Sequence, residues 1–166
     1  ADIFAVFGLY GATPDGSFIP GLEYSGIVSK VGPEVKNFKE GQRVMGVTRF
    51  GAYTTGLNID QRYIAPMPDQ WSFDQGAAYL VQVLTAYYAL VELGDLQEKQ
   101  SVLIHSAAGG VGIWANRIAK QFNAYTIGSV GSAFKLDVLN QENYDKGIVR
   151  SKHFYKELMK VLGERE

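Results

Sequence analysis

A glycine-rich turn between an apolar run and a helical pattern is the stretch that most directly indicates chemistry. Residues 101–120 read SVLIHSAAGGVGIWANRIAK, so the turn follows a predicted strand and opens a predicted helix. Such a turn is typical of a loop that presents backbone N–H groups to a pyrophosphate at a helix N-terminus, where the macrodipole favours negative charge. We interpret it as a dinucleotide-binding loop, with a purely structural turn as the alternative. The residues predicted to bind the cofactor here are Ala108, Gly109, Gly110, Val111 and Gly112.

Three positions of this turn have separate physical requirements. Gly109 stands where a side chain would block the backbone from approaching a pyrophosphate, and Gly112 stands where helix and strand must pack closely. Ala107 replaces the first glycine of the G-x-G-x-x-G pattern. A small Cβ fits at that position as long as φ stays negative. The turn is therefore expected to function despite the substitution.

The end of the next predicted strand indicates which dinucleotide is bound. An NAD site usually places a carboxylate there to accept a hydrogen bond from the ribose 2′-OH. This chain instead reads IGSVGSAFK over residues 127–135, without an acid. Ser129, Ser132 and Lys135 can donate to a 2′-phosphate, and Gly128 belongs to the same predicted site. The stretch predicts NADPH as the cofactor, although Lys135 alone also fits an ordinary solvated helix residue.

The first part of the chain has the pattern of a small β domain. Strands are predicted over residues 25–32, 41–47, 52–59 and 61–68, separated by loops that are too short for crossover helices. Pairing between these strands should therefore be antiparallel or barrel-like.

Helices enter the pattern near Trp71. Ser72 and Gln75 form a predicted capping box, and the helix that they open should run to Leu93 before Gly94 ends it. Strands over residues 101–106, 125–130 and 147–150 then alternate with helices over 111–122 and 133–139 and a last amphipathic helix that carries Phe154 and Leu158. This alternation predicts a parallel sheet built from βαβ units. In the helix over 111–122, one face should pack (Val111, Ala115, Ile118, Ala119, Phe122) and the other should meet solvent (Asn116, Arg117, Lys120, Gln121).

Composition excludes several classes of function. The 166 residues carry 16 Lys and Arg against 17 Asp and Glu, a net charge of −1, which does not favour binding to nucleic acid or to an anionic membrane. No run is long and apolar enough for a membrane span, and the N-terminus does not read as a signal peptide. The absence of cysteine removes disulfides and thiolate chemistry, and it is consistent with a cytoplasmic location.

Several separated motifs together resemble one enzyme family. VLIHSAAGGVG follows LTAYYAL, PGLEYSGIVSKVG and GQRVMG lie upstream, and GSVGSAFK lies downstream. In order and spacing they resemble the medium-chain dehydrogenase/reductase superfamily, and within it the zinc-independent quinone oxidoreductases and the vesicle amine transport protein-like branch. The resemblance implies an α/β-plus-β fold: part of a GroES-like β-barrel catalytic domain (residues 1–70), a connecting helix (71–95) and a partial Rossmann dinucleotide-binding domain (96–166).

The resemblance also implies that there is no metal site. Zinc-dependent relatives have Gly-His-Glu where this chain has Gly-Leu-Glu, so Leu22 replaces the imidazole ligand, and Val81 takes the place of their cysteine ligand. His105 and His153 are not at metal-ligand spacing. His105, which ends a predicted strand, is expected in the core or near the cofactor.

Without a metal to polarise a substrate oxygen, the resemblance implies hydride transfer from NADPH to an activated acceptor, a quinone or an α,β-unsaturated carbonyl. Tyr10, Gln82 and Thr85 match positions that line the nicotinamide, although relatives often have Asn where Gln82 stands. Glu23, between apolar neighbours, is either a catalytic acid or a structural hydrogen-bonding group.

Two further classes of function stay open at this stage. The chain is expected to begin inside the barrel and to end before the fourth Rossmann strand. It is therefore either a fragment of a longer enzyme or a natural short chain that covers the open sheet edge through self-association or a partner. A non-catalytic NADPH-binding or assembly protein and an enoyl-reductase module of a larger synthase are both compatible with the motifs. Whether the chain itself turns over substrate is not decided by its sequence.

Overall fold

The computed structural model describes residues 2–163 and consists of two compact units, Ala1–Val81 and Gln82–Glu166. The first unit begins with a short helix, α1 (Asp2–Val6), and the second contains a parallel sheet flanked by helices. The finer division into residues 1–70, 71–95 and 96–166 stays a prediction.

The sheet of the first unit has three antiparallel strands. They are β1 (Glu23–Ile27), β2 (Arg43–Val47) and β3 (Ile64–Pro66), in the order β1-β2-β3. Antiparallel pairing was predicted from the short loops and is confirmed. Beyond β1, the hydrogen bond from Val28 N–H to Gln42 O continues the pairing for one residue.

The prediction of a strand over residues 52–59 is wrong. That segment contains bends and no strand: Ala52 N–H and Tyr53 N–H donate to the Gly21 and Pro20 carbonyls, outside any strand, and Thr54 bonds the backbone nearby. The Thr54 hydroxyl donates to Gly56 O at 3.0 Å and accepts from Gly56 N–H at 3.4 Å. Threonine side chains that bond the nearby backbone in this way compete with strand pairing.

The helix predicted from Ser72 to Leu93 starts as expected but is interrupted. The capping box is confirmed, since the Ser72 hydroxyl accepts from Gln75 N–H and the Gln75 side chain accepts from Ser72 N–H. The segment then forms α2 (Phe73–Ala77), α3 (Leu80–Tyr87) and a π-helical turn (Tyr88–Leu93). At the break, Val81 N–H donates to the Glu23 carboxylate, a contact distant in sequence that no helical periodicity reveals.

The sheet of the second unit is parallel and has the predicted alternation of strands and helices. Its strands are β4 (Ser101–His105), β5 (Tyr125–Val130) and β6 (Lys146–Val149), and they lie in chain order. Because both pairs are parallel, the carboxyl ends of the three strands share one edge of the sheet. A 3₁₀ turn (Ala133–Lys135) precedes α5, and the helices are α4 (Gly110–Gln121), α5 (Leu136–Gln141) and α6 (Phe154–Gly163). None of the helices described in residues 2–163 is long and apolar enough to cross a membrane.

Helix α4 packs differently from its predicted amphipathic pattern at two positions. Asn116 was assigned to the solvent face but is fully buried, where its side-chain amide donates to Glu142 O at 2.6 Å. Val111 was assigned to the packed face but is 41% exposed, because it lies in the first turn beyond the sheet edge. Ala115 and Ala119 are buried as predicted. The packed face of α4 is therefore rotated toward the α5–β6 turn.

Candidate functional site

The glycine-rich turn lies at the carboxyl edge of the parallel sheet, between β4 and α4. Its left-handed residue is Ser106, with φ of 53°, whereas Ala107 is completely buried and is not among the residues with positive φ. Ala107 N–H donates to Ser129 O at 3.1 Å, and Gly109 N–H donates to Ser106 O at 2.8 Å. The positive φ of the turn thus falls on Ser106, one residue before Ala107, and alanine at position 107 is accommodated as the sequence predicts.

Gly112 allows α4 to rest directly on the turn. A Cβ at Gly112 would lie 2.7 Å from the Cα and carbonyl oxygen of Ala107 and 2.8 Å from its carbonyl carbon. Real Cβ atoms do not approach backbone this closely. The packing role predicted for Gly112 is confirmed, while its place in a cofactor site stays a prediction.

The N-terminus of α4 is open to solvent. Gly109 is the N-cap residue, with extended backbone and no side-chain cap, and Gly109, Gly110 and Val111 are all exposed. The first N–H groups of a helix have no acceptor within the helix, so this end presents donors together with the positive end of the macrodipole. It can therefore hold a phosphate group.

Gln82 lies against this helix end. A Cβ at Gly110 would overlap the side-chain amide of Gln82, so the two residues are in direct proximity. Thr85 lies one turn further along α3 and is exposed. The structure therefore brings one residue predicted to line the nicotinamide next to the predicted phosphate loop.

The third predicted catalytic residue belongs to the first unit. Tyr10 is 36% exposed, and its ring meets the Phe50 ring edge-on with centroids 6.4 Å apart. Its carbonyl accepts hydrogen bonds from Thr13, which fixes the backbone after α1. Its role at the nicotinamide stays a prediction.

Tyr144 binds the backbone of the turn, a role that the sequence analysis did not predict. Its hydroxyl donates to Gly112 O at 2.7 Å and lies 3.3 Å from Ala107 O, so it is shared between both sides of the closest helix–strand contact. Burial, with the nearby Glu142 charge, raises the pKa of Tyr144 well above its usual range, so the hydroxyl keeps its proton. The only sequence signal is a tyrosine just before β6, because a buried tyrosine needs an acceptor.

The predicted 2′-phosphate residues follow β5 along the same edge. Gly128 lies inside β5, where a Cβ would be 2.7 Å from Leu139 and 2.9 Å from Ala107, so its absence of side chain serves packing. Ser132 occupies the N-cap position of the 3₁₀ turn without a side-chain cap hydrogen bond and is half-buried, and Lys135 is exposed at the end of that turn. Ser132 and Lys135 are thus held together by one short turn, as their proposed role requires.

Ser129 is fully buried and its hydroxyl already has a partner. Its Oγ lies 2.8 Å from His105 Nδ1, and the two residues are register partners on β5 and β4. His105 itself is exposed rather than in the core, and its ring centroid lies 5.7 Å from that of Phe154. The hydroxyl of Ser129 therefore orients the histidine at the sheet edge, and its predicted contact with a phosphate stays a prediction.

Glu23 has the environment expected of a structural carboxylate. Its Oε2 accepts from Val81 N–H at 3.0 Å at the start of α3. Burial raises the pKa of Glu23, the hydrogen bond from Val81 opposes that effect, and the Asp2 charge adds to it. The bond satisfies a backbone donor where α2 and α3 separate, which supports the structural interpretation of this residue.

A surface cavity lies at the other end of the sheet. It has a volume of about 430 Å³ and is lined by Tyr125 and Asp145 at the amino ends of β5 and β6 and by Lys120 near the end of α4. Ligands of open α/β sheets bind outside the carboxyl ends of the strands, so we do not place the site there. In residues 2–163 no three His, Asp or Glu side chains are grouped to hold a metal ion.

Comparison with known proteins shows what the chain is similar to. Residues 1–69 match the Alcohol dehydrogenase GroES-like domain. The synaptic vesicle membrane protein VAT-1 homolog of Danio rerio is 36% identical over 162 residues, which are 97% of this chain and 34% of that protein. A quinone oxidoreductase of Escherichia coli, solved in complex with NADPH, is 36% identical with a TM-score of 0.88 over 98% of this chain and 50% of that one. The CurK enoyl reductase aligns with a TM-score of 0.88 and 29% identity over 98% of this chain and 51% of that one.

The chain is similar to members of the medium-chain dehydrogenase/reductase superfamily. Its similarity is to the quinone oxidoreductase-like members, which confirms the resemblance drawn from the motifs, and the GroES-like part followed by a parallel Rossmann-type sheet confirms the predicted fold class. The chain spans about half the length of the solved relatives it matches and about a third of the VAT-1 homolog.

Proposed function

We propose that this protein is an NADPH-dependent oxidoreductase that passes hydride to a quinone or a related α,β-unsaturated carbonyl. The observation that carries the proposal is the exposed N-terminus of α4, which opens with Gly109 and Gly110 at the carboxyl edge of the sheet. The similarity to a quinone oxidoreductase solved with NADPH supports it.

The residues present fit a dinucleotide phosphate. The Ala107–Gly112 contact leaves no room for a side chain, so the first turn of α4 is fixed on the sheet, and its backbone donors can face a pyrophosphate. Ser132 and Lys135 are the donors for a 2′-phosphate, with no carboxylate in residues 124–136 to repel it. When bound, the dinucleotide would supply the hydride.

The remaining work of the protein is to position the substrate and exclude water. Tyr10, Gln82 and Thr85 are the proposed neighbours of the nicotinamide, and the location of Gln82 beside Gly110 supports its assignment. A quinone or a conjugated enone is already electrophilic, so orientation contributes most of what catalysis requires. The proposed substrate is therefore a small molecule of this class.

A turnover assay tests the proposal directly. NADPH absorbance at 340 nm is followed with 1,4-benzoquinone as acceptor, and Gly109→Val serves as the variant in which a side chain obstructs the phosphate loop. Quinone-dependent oxidation by the wild type that is lost in Gly109→Val is the expected result. Binding of NADPH without oxidation would instead identify a non-catalytic binding protein, and the absence of binding would refute the proposal.

A second candidate function is enoyl reduction within a larger synthase, which the similarity to the CurK enoyl reductase favours. The same assay with a crotonyl thioester separates the two candidates, since an enoyl reductase reduces the thioester faster than the quinone. Self-association through the open sheet edge and a cytoplasmic location stay predictions from the sequence.

A further inference from the structure

The side-chain amide of Gln82 rests on the first residue of α4. A Cβ at Gly110 would overlap the Oε1 and Cδ atoms of Gln82 and would lie 2.9 Å from its Nε2. The carbonyl oxygen is the amide atom nearest to that Cβ position. Only a residue without a side chain leaves this space to the amide, so the contact depends on glycine at position 110.

The packing of α3 explains why Gln82 reaches this place. Ala86 is 1% exposed and belongs to the same buried cluster as Ala107 and Ala115. Gln82 precedes Ala86 by about one helical turn, so the two side chains lie on the same face of α3. The face of α3 that packs toward the glycine-rich turn thus brings Gln82 to the N-terminus of α4.

The Gln82 amide occupies space that a pyrophosphate needs. The N–H groups of Gly110, Val111 and Gly112 have no acceptor within α4, and a phosphate on this helix end would approach them. The carbonyl oxygen of Gln82 carries a partial negative charge at the positive end of the macrodipole, so it competes with phosphate oxygens for the same place. Within residues 2–163 the structure gives the Gln82 side chain no hydrogen bond, so rotation away from Gly110 breaks none.

We propose that Gln82 makes an autoinhibitory contact with the phosphate loop: its amide covers Gly110 in the free protein and must rotate away before a pyrophosphate binds. This inference rests on the proposed function, because it concerns the same loop. The proposed function also makes Gln82 a neighbour of the nicotinamide, and rotation off Gly110 releases the amide for that contact. The apparent affinity for a pyrophosphate is then the intrinsic affinity multiplied by the fraction of molecules in which the amide is rotated.

Isothermal titration with ADP-ribose tests the contact without relying on turnover, since this ligand carries the pyrophosphate but neither the nicotinamide nor a 2′-phosphate. Gln82→Ala removes the amide, and Gln82→Asn shortens the side chain by one methylene so that its amide no longer reaches Gly110. Both variants should bind ADP-ribose about three- to tenfold more tightly, which corresponds to a rotated amide in about a third to a tenth of wild-type molecules. Gln121→Ala, which removes an exposed glutamine at the other end of α4, is the matched control and should leave the affinity unchanged.

The outcomes separate this inference from the proposed function. Absence of ADP-ribose binding in the wild type and in both Gln82 variants would refute the phosphate loop, and with it the proposed function. Wild-type binding that both variants leave unchanged would overturn only the role of Gln82, and so would weaker binding, which would identify the amide as a ligand of the pyrophosphate. If Gln82→Ala does not fold, Gln82→Asn decides: tighter binding supports the proposal, and equal or weaker binding overturns it.

Discussion

Replacement of Gly112 by alanine tests whether the turn and α4 are in the close contact that the site requires. The new Cβ would meet three backbone atoms of Ala107 at 2.7–2.8 Å, and backbone in the middle of a sheet–helix contact cannot rotate away. Overpacking of this kind costs about 1–3 kcal/mol, whereas Gly→Ala within a helix contributes about 1 kcal/mol of stabilisation. We therefore expect the free energy of unfolding to fall by up to about 2 kcal/mol, and the affinity for NADPH to fall with it.

Gly110→Ala is the matched comparison for this prediction. Its Cβ would overlap the end of the Gln82 side chain, which can rotate to another rotamer, so the stability should stay unchanged or rise. Urea denaturation followed by the fluorescence of Trp114, in a Trp71→Phe background that leaves it as the one tryptophan, measures both variants. A Gly112→Ala protein as stable as Gly110→Ala would refute the contact.

Three further predictions concern the support and the charges of the site. Tyr144→Phe removes the hydroxyl donor shared by the Ala107 and Gly112 carbonyls, so the free energy of unfolding measured in urea should fall by about 1–2 kcal/mol. An unchanged free energy of unfolding would contradict the hydrogen bonds to the turn. Burial alone would raise the pKa of Asp145, but hydrogen bonds from Lys120 and Thr126 and the lysine charge together lower it. The contribution of Asp145 to stability is thus complete above its pKa in the unfolded chain and is lost as pH falls through its pKa in the folded protein. Below about pH 4 the wild type should therefore lose stability with falling pH more steeply than Asp145→Asn. Equal slopes of stability against pH in the two proteins would contradict this. Lys135→Gln should weaken NADPH binding by about tenfold and leave NADH binding unchanged in fluorescence titrations, and an equal loss for both cofactors would show that the lysine does not contact the 2′-phosphate.

Local sequence rules predicted the parts of the fold that local interactions stabilise. The Ser72–Gln75 capping box and the three parallel strands follow from side-chain chemistry and periodicity within a few residues. The break between α2 and α3 was missed because it depends on a hydrogen bond between Glu23 and Val81, which are 58 residues apart. Asn116 was placed on the wrong face because its partner, the Glu142 carbonyl, lies 26 residues further along the chain.

The candidate site divides in the same way. The role of Gly112 in packing was predictable, since a motif fixes the spacing between a strand, a turn and a helix. The role of Tyr144 was not, because this residue reaches the turn only through the order of strands in the sheet. Residues that act across neighbouring strands leave no periodic signal along one segment of sequence.

The most direct test of the account is a parallel titration of the purified protein with NADPH and NADH, followed by cofactor fluorescence. The account predicts saturable binding of NADPH and binding of NADH that is weaker by about tenfold or more, because NADH lacks the 2′-phosphate that Ser132 and Lys135 are proposed to bind. Equal binding of the two cofactors, or binding of neither, would contradict the account.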